Sequence, residues 1–233
     1  MSGWLRFALY AVALLAITAA GLQVYSVLPA AFAVRPVGLP ADTHAVVLLF
    51  HGSGGRDEPG LIQLEDAVRR SEPAGSRTAV VRYVWSPWSD TKLRTYPNGI
   101  RVGDALGTEL AGLPDLASIH LIAHSAGAYV LEPLCRAYRA QRTTPGARIR
   151  MTYLDPIGFR GPLDPGWGAR QFGRCADDAE AFINTDDPVP ATGAVLQHAR
   201  TTDVTRDPGR RNFAGGGHRW PVQYYAGHLA PDR

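Results

Sequence analysis

The sequence predicts an α/β protein: a compact, mostly parallel sheet with helices on both faces. Three observations carry that prediction: short unbroken apolar runs, amphipathic stretches alternating with them, and polar residues gathered just past the runs. Residues 45–50 (AVVLLF) are uniformly apolar, as expected of a strand buried on both faces of a parallel sheet. Residues 61–70 place apolar side chains at 61, 62, 64, 67 and 68, the spacing of one helical face. A second strand is expected over 79–85, ended by Ser86-Pro87. Residues 99–113 read as a helix with Ile100, Val102, Leu106 and Leu110 inward, despite their glycines. The third strand is expected at 118–123 and the next helix at 126–141, with Pro133 expected to kink it. Strands follow at 149–154, 181–184 and 195–204, and a closing helix at 219–227. Strand alternating with helix implies right-handed crossovers.

The length of 233 residues suits one domain, expected over 34–233 behind an N-terminal segment at 1–33. Hydrophobic residues make up 45% and charged residues 19%, without repeats or like-charge runs, so the chain reads as globular. The net charge of +3 comes from scattered arginines, with Lys92 the only lysine, which excludes a nucleic-acid stripe. Neither metal-ligand spacing nor a phosphate-binding glycine loop is present. The N-terminus differs from the rest. Arg6 precedes a stretch without charge from Phe7 to Val34, closed by Ala31-Phe32-Ala33. That is the form of a secretory signal cleaved near Val34, or of an uncleaved anchor, since about 20 apolar residues span a bilayer. Both readings place the folded part outside the cytoplasm, where Cys135 and Cys175 are expected to pair.

In a parallel α/β sheet the ligand lies beyond the carboxyl ends of the strands. His51-Gly52-Ser53 follow the first strand, Ser125 the third, Asp155 the fourth and Asp186-Asp187 the fifth. Ala123-His124-Ser125-Ala126-Gly127 has the form of a nucleophile elbow, with small residues two before and two after an exposed serine. Ala123 stands where that motif usually has glycine. A serine hydroxyl needs a histidine to take its proton and a carboxylate to orient the ring. His218, after Gly215-Gly216-Gly217, is the expected base. His198 lies in an apolar stretch and His228 beyond the closing helix. The acid stays open between Asp155 and Asp186 or Asp187, each also explicable as an Asp near a turn proline. Backbone N–H groups of Ser53 and Ala126 are the expected oxyanion donors. Trp85, Trp88, Tyr96, Phe159, Trp167 and Phe172 lie in two loops able to wall an acyl pocket.

Several ordered segments together resemble the pancreatic-lipase family of α/β-hydrolases. Leu49-Phe50-His51-Gly52 resembles its oxyanion strand and His-Gly turn, and Val84-Trp85-Ser86 its Asp-Trp strand. Asn98-Gly99-Ile100-Arg101-Val102-Gly103 resembles its Asn-x-x-x-Val-Gly helix start, and residues 119–127 its G-H-S-L-G elbow. Thr152-Tyr153-Leu154-Asp155-Pro156 resembles the segment that carries the family's acid, whereas Ile183-Asn184-Thr185-Asp186 resembles a strand end that does not. Gly217-His218-Arg219 with Tyr224-Tyr225 resembles the segment of its base. The resemblance runs from about His44 to His228 and implies Asp155 as the acid. Departures are Ala123, a missing cysteine before His218, no room for a C-terminal β-domain and no long disulfide-bounded lid. Interfacial activation and colipase-like partners are therefore not expected.

The expectation is an exported serine hydrolase of carboxylic esters, lipid acyl esters first. It would act through Ser125, Asp155 and His218 without metal or organic cofactor. Its partners would be a lipid or small ester, with a membrane surface or N-terminal anchor. Alternatives are a short-chain esterase, a cutinase-like enzyme or thioesterase with Asp186 or Asp187 as acid, and a catalytically silent envelope protein of the same fold.

Overall fold

The structure is a computed structural model that describes residues 3–229 except 74, 143–145 and 187–188. After a long N-terminal helix, α1 (Gly3–Val27), the chain alternates strand and helix. β1 (Ala45–Phe50), α2 (Pro59–Ser71), β2 (Thr78–Tyr83), α3 (Thr95–Ala111), β3 (Ser118–His124) and α4 (Ala128–Gln141) form the first half. β4 (Arg148–Leu154), α5 (Trp167–Gln171), β5 (Asp178–Ile183), β6 (Arg200–Asp203) and α6 (Trp220–Leu229) complete it. Among the described residues six strands form one sheet in the order β2-β1-β3-β4-β5-β6, every pair parallel.

Side chains alternate along a strand, so each apolar run serves two layers. Val46, Leu48 and Phe50 of β1, Leu121 of β3 and Met151 of β4 pack under α3 and α4. Val47, Leu49, Ile122 and Leu154 face α2 and α6 instead. This is why 45–50 contains no polar residue: both faces are covered. The register sets Phe50 beside Ala123, and Ala123 beside Tyr153, so the strands end level with one another. His51, Ser125, Asp155 and Asn184 thus emerge along one edge of the sheet.

α3 begins at Thr95, four residues ahead of the expected start, and is preceded by a 3-10 turn at Lys92–Arg94. Its glycines have a packing reason. A Cβ on Gly99, Gly103 or Gly107 would lie 2.6 Å from Tyr129 Cβ, 2.4 Å from the Val130 carbonyl and 2.3 Å from the Leu134 carbonyl. Spaced four apart, they clear one face of α3 for α4 to press against. α4 continues through Pro133, whose ring fills the space at Gly103. The sixth strand is confined to Arg200–Asp203, and α5 is an additional short helix.

Cys135 on α4 is bonded to Cys175, in the segment leading to β5. The bond closes a loop of 40 residues, for which chain entropy gives about 4 kcal/mol.

Candidate active site

The turn from β3 into the helix that follows is too tight for an ordinary backbone. Ser125 has φ +56°, a left-handed conformation that costs a non-glycine residue roughly 1–2 kcal/mol. Its neighbours explain how it is held. A Cβ on Gly127 would lie 2.6 Å from the Phe50 carbonyl, so that position admits only glycine. Ala123 is fully buried in the α3–α4 layer, where its methyl group is part of the apolar core. The crowding therefore falls on the second small position of the elbow, not on the one where alanine replaces glycine.

The loop after β1 comes over the serine from the other side. A Cβ on Gly52 would lie 2.7 Å from Ser125 Cβ and 3.1 Å from its Oγ. Only a bare backbone lets Ser53 approach. The loop is latched from below by His51, whose Nε2 accepts the Trp85 backbone N–H (3.2 Å). His51 Nδ1–H donates to the Gly52 carbonyl (2.7 Å), and the Trp85 indole N–H donates to the His51 carbonyl (2.8 Å). Burial holds the His51 ring below its ordinary pKa, in keeping with a neutral ring that both donates and accepts. Asp90 Oδ1 accepts the Gly54 N–H (3.1 Å) and ties the tip of the loop to the segment after β2.

Asp155 leaves β4 in a left-handed conformation (φ +44°) with its N–H donating to the Phe182 carbonyl (2.8 Å). That turn points its carboxylate inward, where it is fully buried. Oδ1 accepts the Asn184 N–H (3.0 Å), and Oδ2 faces His218 Nδ1 at 2.7 Å. His218 sits in a 3-10 turn that leads into α6. Gly216 takes φ +84°, and a Cβ on Gly217 would lie 2.5 Å from Asn184 Oδ1. The first glycine bends the chain and the second brings it against the strand ends.

Asp186 is half exposed and paired with Arg210 (3.3 Å), with its Oδ1 beside Gly217, whereas the carboxylate bonded to His218 is that of Asp155; Asp187 lies outside the described residues. His198 is exposed just before β6, and His228 bonds the Tyr224 carbonyl within α6. Ser53, Ser125, Ala126 and His218 line one cleft of about 400 Å³, otherwise walled mainly by apolar groups such as Ile157 and Phe159. Of the six loop aromatics, Phe159 lines this cleft. Trp85 and Phe172 are core residues, Tyr96 and Trp167 pack around Tyr129, and Trp88 stacks on Phe32.

A second carboxylate–histidine pair lies beneath the first. His124 Nδ1 bonds Glu58 Oε2 at 3.0 Å, and His124 Nε2 bonds the backbone carbonyl of His218 at 3.0 Å. The two imidazole centroids are 4.6 Å apart. Both nitrogens of His124 face oxygen atoms, an arrangement that favours the doubly protonated, cationic ring. Burial opposes either charge, but the Glu58–His124 hydrogen bond and attraction outweigh it. His124 is held above histidine's ordinary pKa and Glu58 below that of a carboxylate. Sequence reading missed this pair. Its signal was slight: Glu58 precedes Pro59 at the start of α2, where an acid is routine, and His124 hides inside the elbow motif.

A single parallel sheet between two helical layers, with a serine forced into a left-handed turn after its third strand, is the α/β-hydrolase fold. No protein-family model matches the chain, and no curated protein matches it either. Among solved structures, lipase B of Aspergillus fumigatus aligns at 13% identity with a TM-score of 0.43, covering 70% of this chain. The chain spans 42% of that lipase's length. RedJ, solved with a PEG molecule in its active site, aligns at 15% identity with a TM-score of 0.41, over 89% of this chain and 98% of its own.

Proposed function

We propose that this chain is an exported serine hydrolase that cleaves carboxylic esters, lipid acyl esters first, and that its resemblance to the pancreatic-lipase family extends to a Ser125–His218–Asp155 triad. The observation that carries the reading is the 2.7 Å contact between His218 Nδ1 and the buried Asp155 carboxylate, on a histidine that shares its cleft with Ser125. With Nδ1 taken by Asp155, Nε2 is the nitrogen left to accept the Ser125 proton as Oγ attacks the ester carbonyl. Ser53 and Ala126 N–H groups stabilise the oxyanion, a role worth about 10²–10³ in rate per donor. His218 then returns the proton to the leaving alkoxide, and a water deprotonated by the same ring releases the acid from Ser125. The Cys135–Cys175 bond supports export, since disulfides persist in oxidising compartments.

The test is covalent. A fluorophosphonate should label wild type at Ser125 and leave Ser125→Ala unlabelled. Assays with p-nitrophenyl esters of graded length then separate a lipase from a short-chain esterase. An unlabelled wild type, or equal labelling of the variant, would overturn the reading.

A further inference from the structure

α1 is exposed apolar surface along nearly its whole length. From Gly3 to Tyr25 no residue is buried, and Trp4, Phe7, Leu15 and Ile17 stand at least two-thirds exposed. Apolar surface of that extent demands a cover. The 25 residues measure about 37 Å at 1.5 Å per residue, enough to cross a hydrocarbon layer of about 30 Å. The apolar side chains surround the helix rather than forming one stripe, which fits lipid on all sides better than a partner on one. Trp4 near one end and Tyr25 near the other stand where aromatic residues settle at the two membrane surfaces.

A signal helix removed after Ala33 would have no need of contacts with the folded domain, yet the last turns of α1 are built into it. The Gln23 amide donates to the Arg160 carbonyl (2.9 Å) and accepts the Leu163 N–H (3.0 Å). Gly161 opposite leaves the notch: a Cβ there would lie 2.5 Å from Gln23 Oε1. Arg94 donates to the carbonyls of Tyr25 (2.5 Å) and Pro29 (3.3 Å), with its guanidinium over the Tyr25 ring. Beyond the helix, Arg101 donates to the Phe32 carbonyl (3.2 Å), and the Phe32 ring stacks on Trp88 at 4.0 Å. Cleavage after Ala33 would remove every one of these partners.

The segments that receive α1 are those that border the cleft. Lys92 and Thr95 flank Arg94, and Ile157 and Phe159 precede Arg160. The same segments expose large apolar side chains beside cations: Trp88 (39%), Leu93 (40%) and Leu163 (63%), with exposed Lys92 and Arg160. That mixture of apolar and basic groups suits the headgroup layer of an anionic membrane.

We propose that α1 is retained as a membrane anchor whose docked end sets the cleft mouth at the bilayer surface, so that the substrate is an acyl ester of a membrane lipid, drawn from the bilayer instead of from water. The substrate class rests on the hydrolase reading above; the retention and orientation of α1 do not.

The experiment uses the full chain, reconstituted into phosphatidylcholine–phosphatidylglycerol vesicles. Mass spectrometry of the purified chain should find residues 1–33 attached, and a mass beginning at Val34 would overturn the anchor. An environment-sensitive dye on Leu163→Cys should shift to the blue in vesicles and be quenched by brominated lipid; emission unchanged from that in water would overturn the orientation. The double variant Leu93→Asp/Leu163→Asp should keep fluorophosphonate labelling and p-nitrophenyl acetate hydrolysis within about twofold, as exposed substitutions do. Its release of fatty acid from the vesicle phospholipid should fall by at least about tenfold. Equal loss on both substrates, or loss on neither, would overturn the lipid-surface assignment. A wild type that neither labels nor hydrolyses would instead sink the hydrolase reading, with the mass and the dye still reporting on α1.

Discussion

Two carboxylate–histidine pairs sit one above the other at the carboxyl edge of the sheet, and they differ in what the far side of each ring meets. Asp155–His218 leaves the imidazole at the cleft, with its side chain 19% exposed. Glu58–His124 is sealed, with 5% and 4% of the two side chains exposed, and its far nitrogen holds the His218 backbone. The chemical components are the same. The upper ring keeps a nitrogen on the cleft side, whereas the lower one has an oxygen at each nitrogen, which favours its charged form. A buried acid–histidine pair is therefore no sign of catalysis until its last nitrogen is followed.

The largest break in that comparison is Ser125→Ala, expected to lower ester hydrolysis by about 10⁵-fold or more while the melting temperature stays near wild type. Turnover alongside calorimetry decides it. Asp155→Asn should follow with a fall of about 10⁴ in kcat, because the amide favours the wrong His218 tautomer. Glu58→Gln should do the reverse. Removing one partner of a buried ion pair costs about 3–5 kcal/mol, read as a lowered urea midpoint, with kcat of the folded fraction changed by less than about tenfold. Should Glu58→Gln cost as much turnover as Asp155→Asn in protein that remains folded, the division between upper and lower pair collapses.

The smallest effect is in pH. His124 is held above its ordinary 6.5, so its contribution to stability is complete below 6.5 and is lost as pH rises through its raised pKa. Glu58 is held below its ordinary 4.5, so its contribution is complete above 4.5 and is lost as pH falls through its lowered pKa. The pair therefore stabilises most between those two values. A Glu58→Leu/His124→Leu variant should lack this dependence, and its melting temperature relative to wild type should improve as pH is raised above 6.5. A constant difference from pH 5 to 9 would show that the pair does not titrate as argued.

Much of this edge was legible in the sequence for local reasons. The run at 45–50 reads as a doubly covered strand, and small residues around a serine between a strand and a helix read as an elbow. What distinguishes the surroundings of the candidate acids is not local. Asp155 and Asp186 both follow strands near prolines, and what separates them is that Asn184 and His218 converge on one while Arg210 takes the other. The Glu58–His124 pair joins residues 66 apart through a helix start and a strand end, so neither periodicity nor motif announces it. The early start of α3 was hidden by Pro97 and Gly99, residues that discourage a helix until α4 is packed against them. Most of the loop aromatics face the core because a ring gains more from burial there than at a cleft wall.

The glycine ladder of α3 has a consequence for how this protein can vary. At Gly99, Gly103 and Gly107 even one added methyl group meets α4 within 2.6 Å, mostly against backbone that has nowhere to go. α4 is the direct continuation of the Ser125 turn, so displacing it would drag Ser125 away from the cleft it shares with His218. Libraries that diversify this chain should find the cleft wall at Ile157 and Phe159 permissive and these three positions blank, although none of the three lines the cleft. The map of tolerated change would then trace the support of the serine more sharply than the pocket itself.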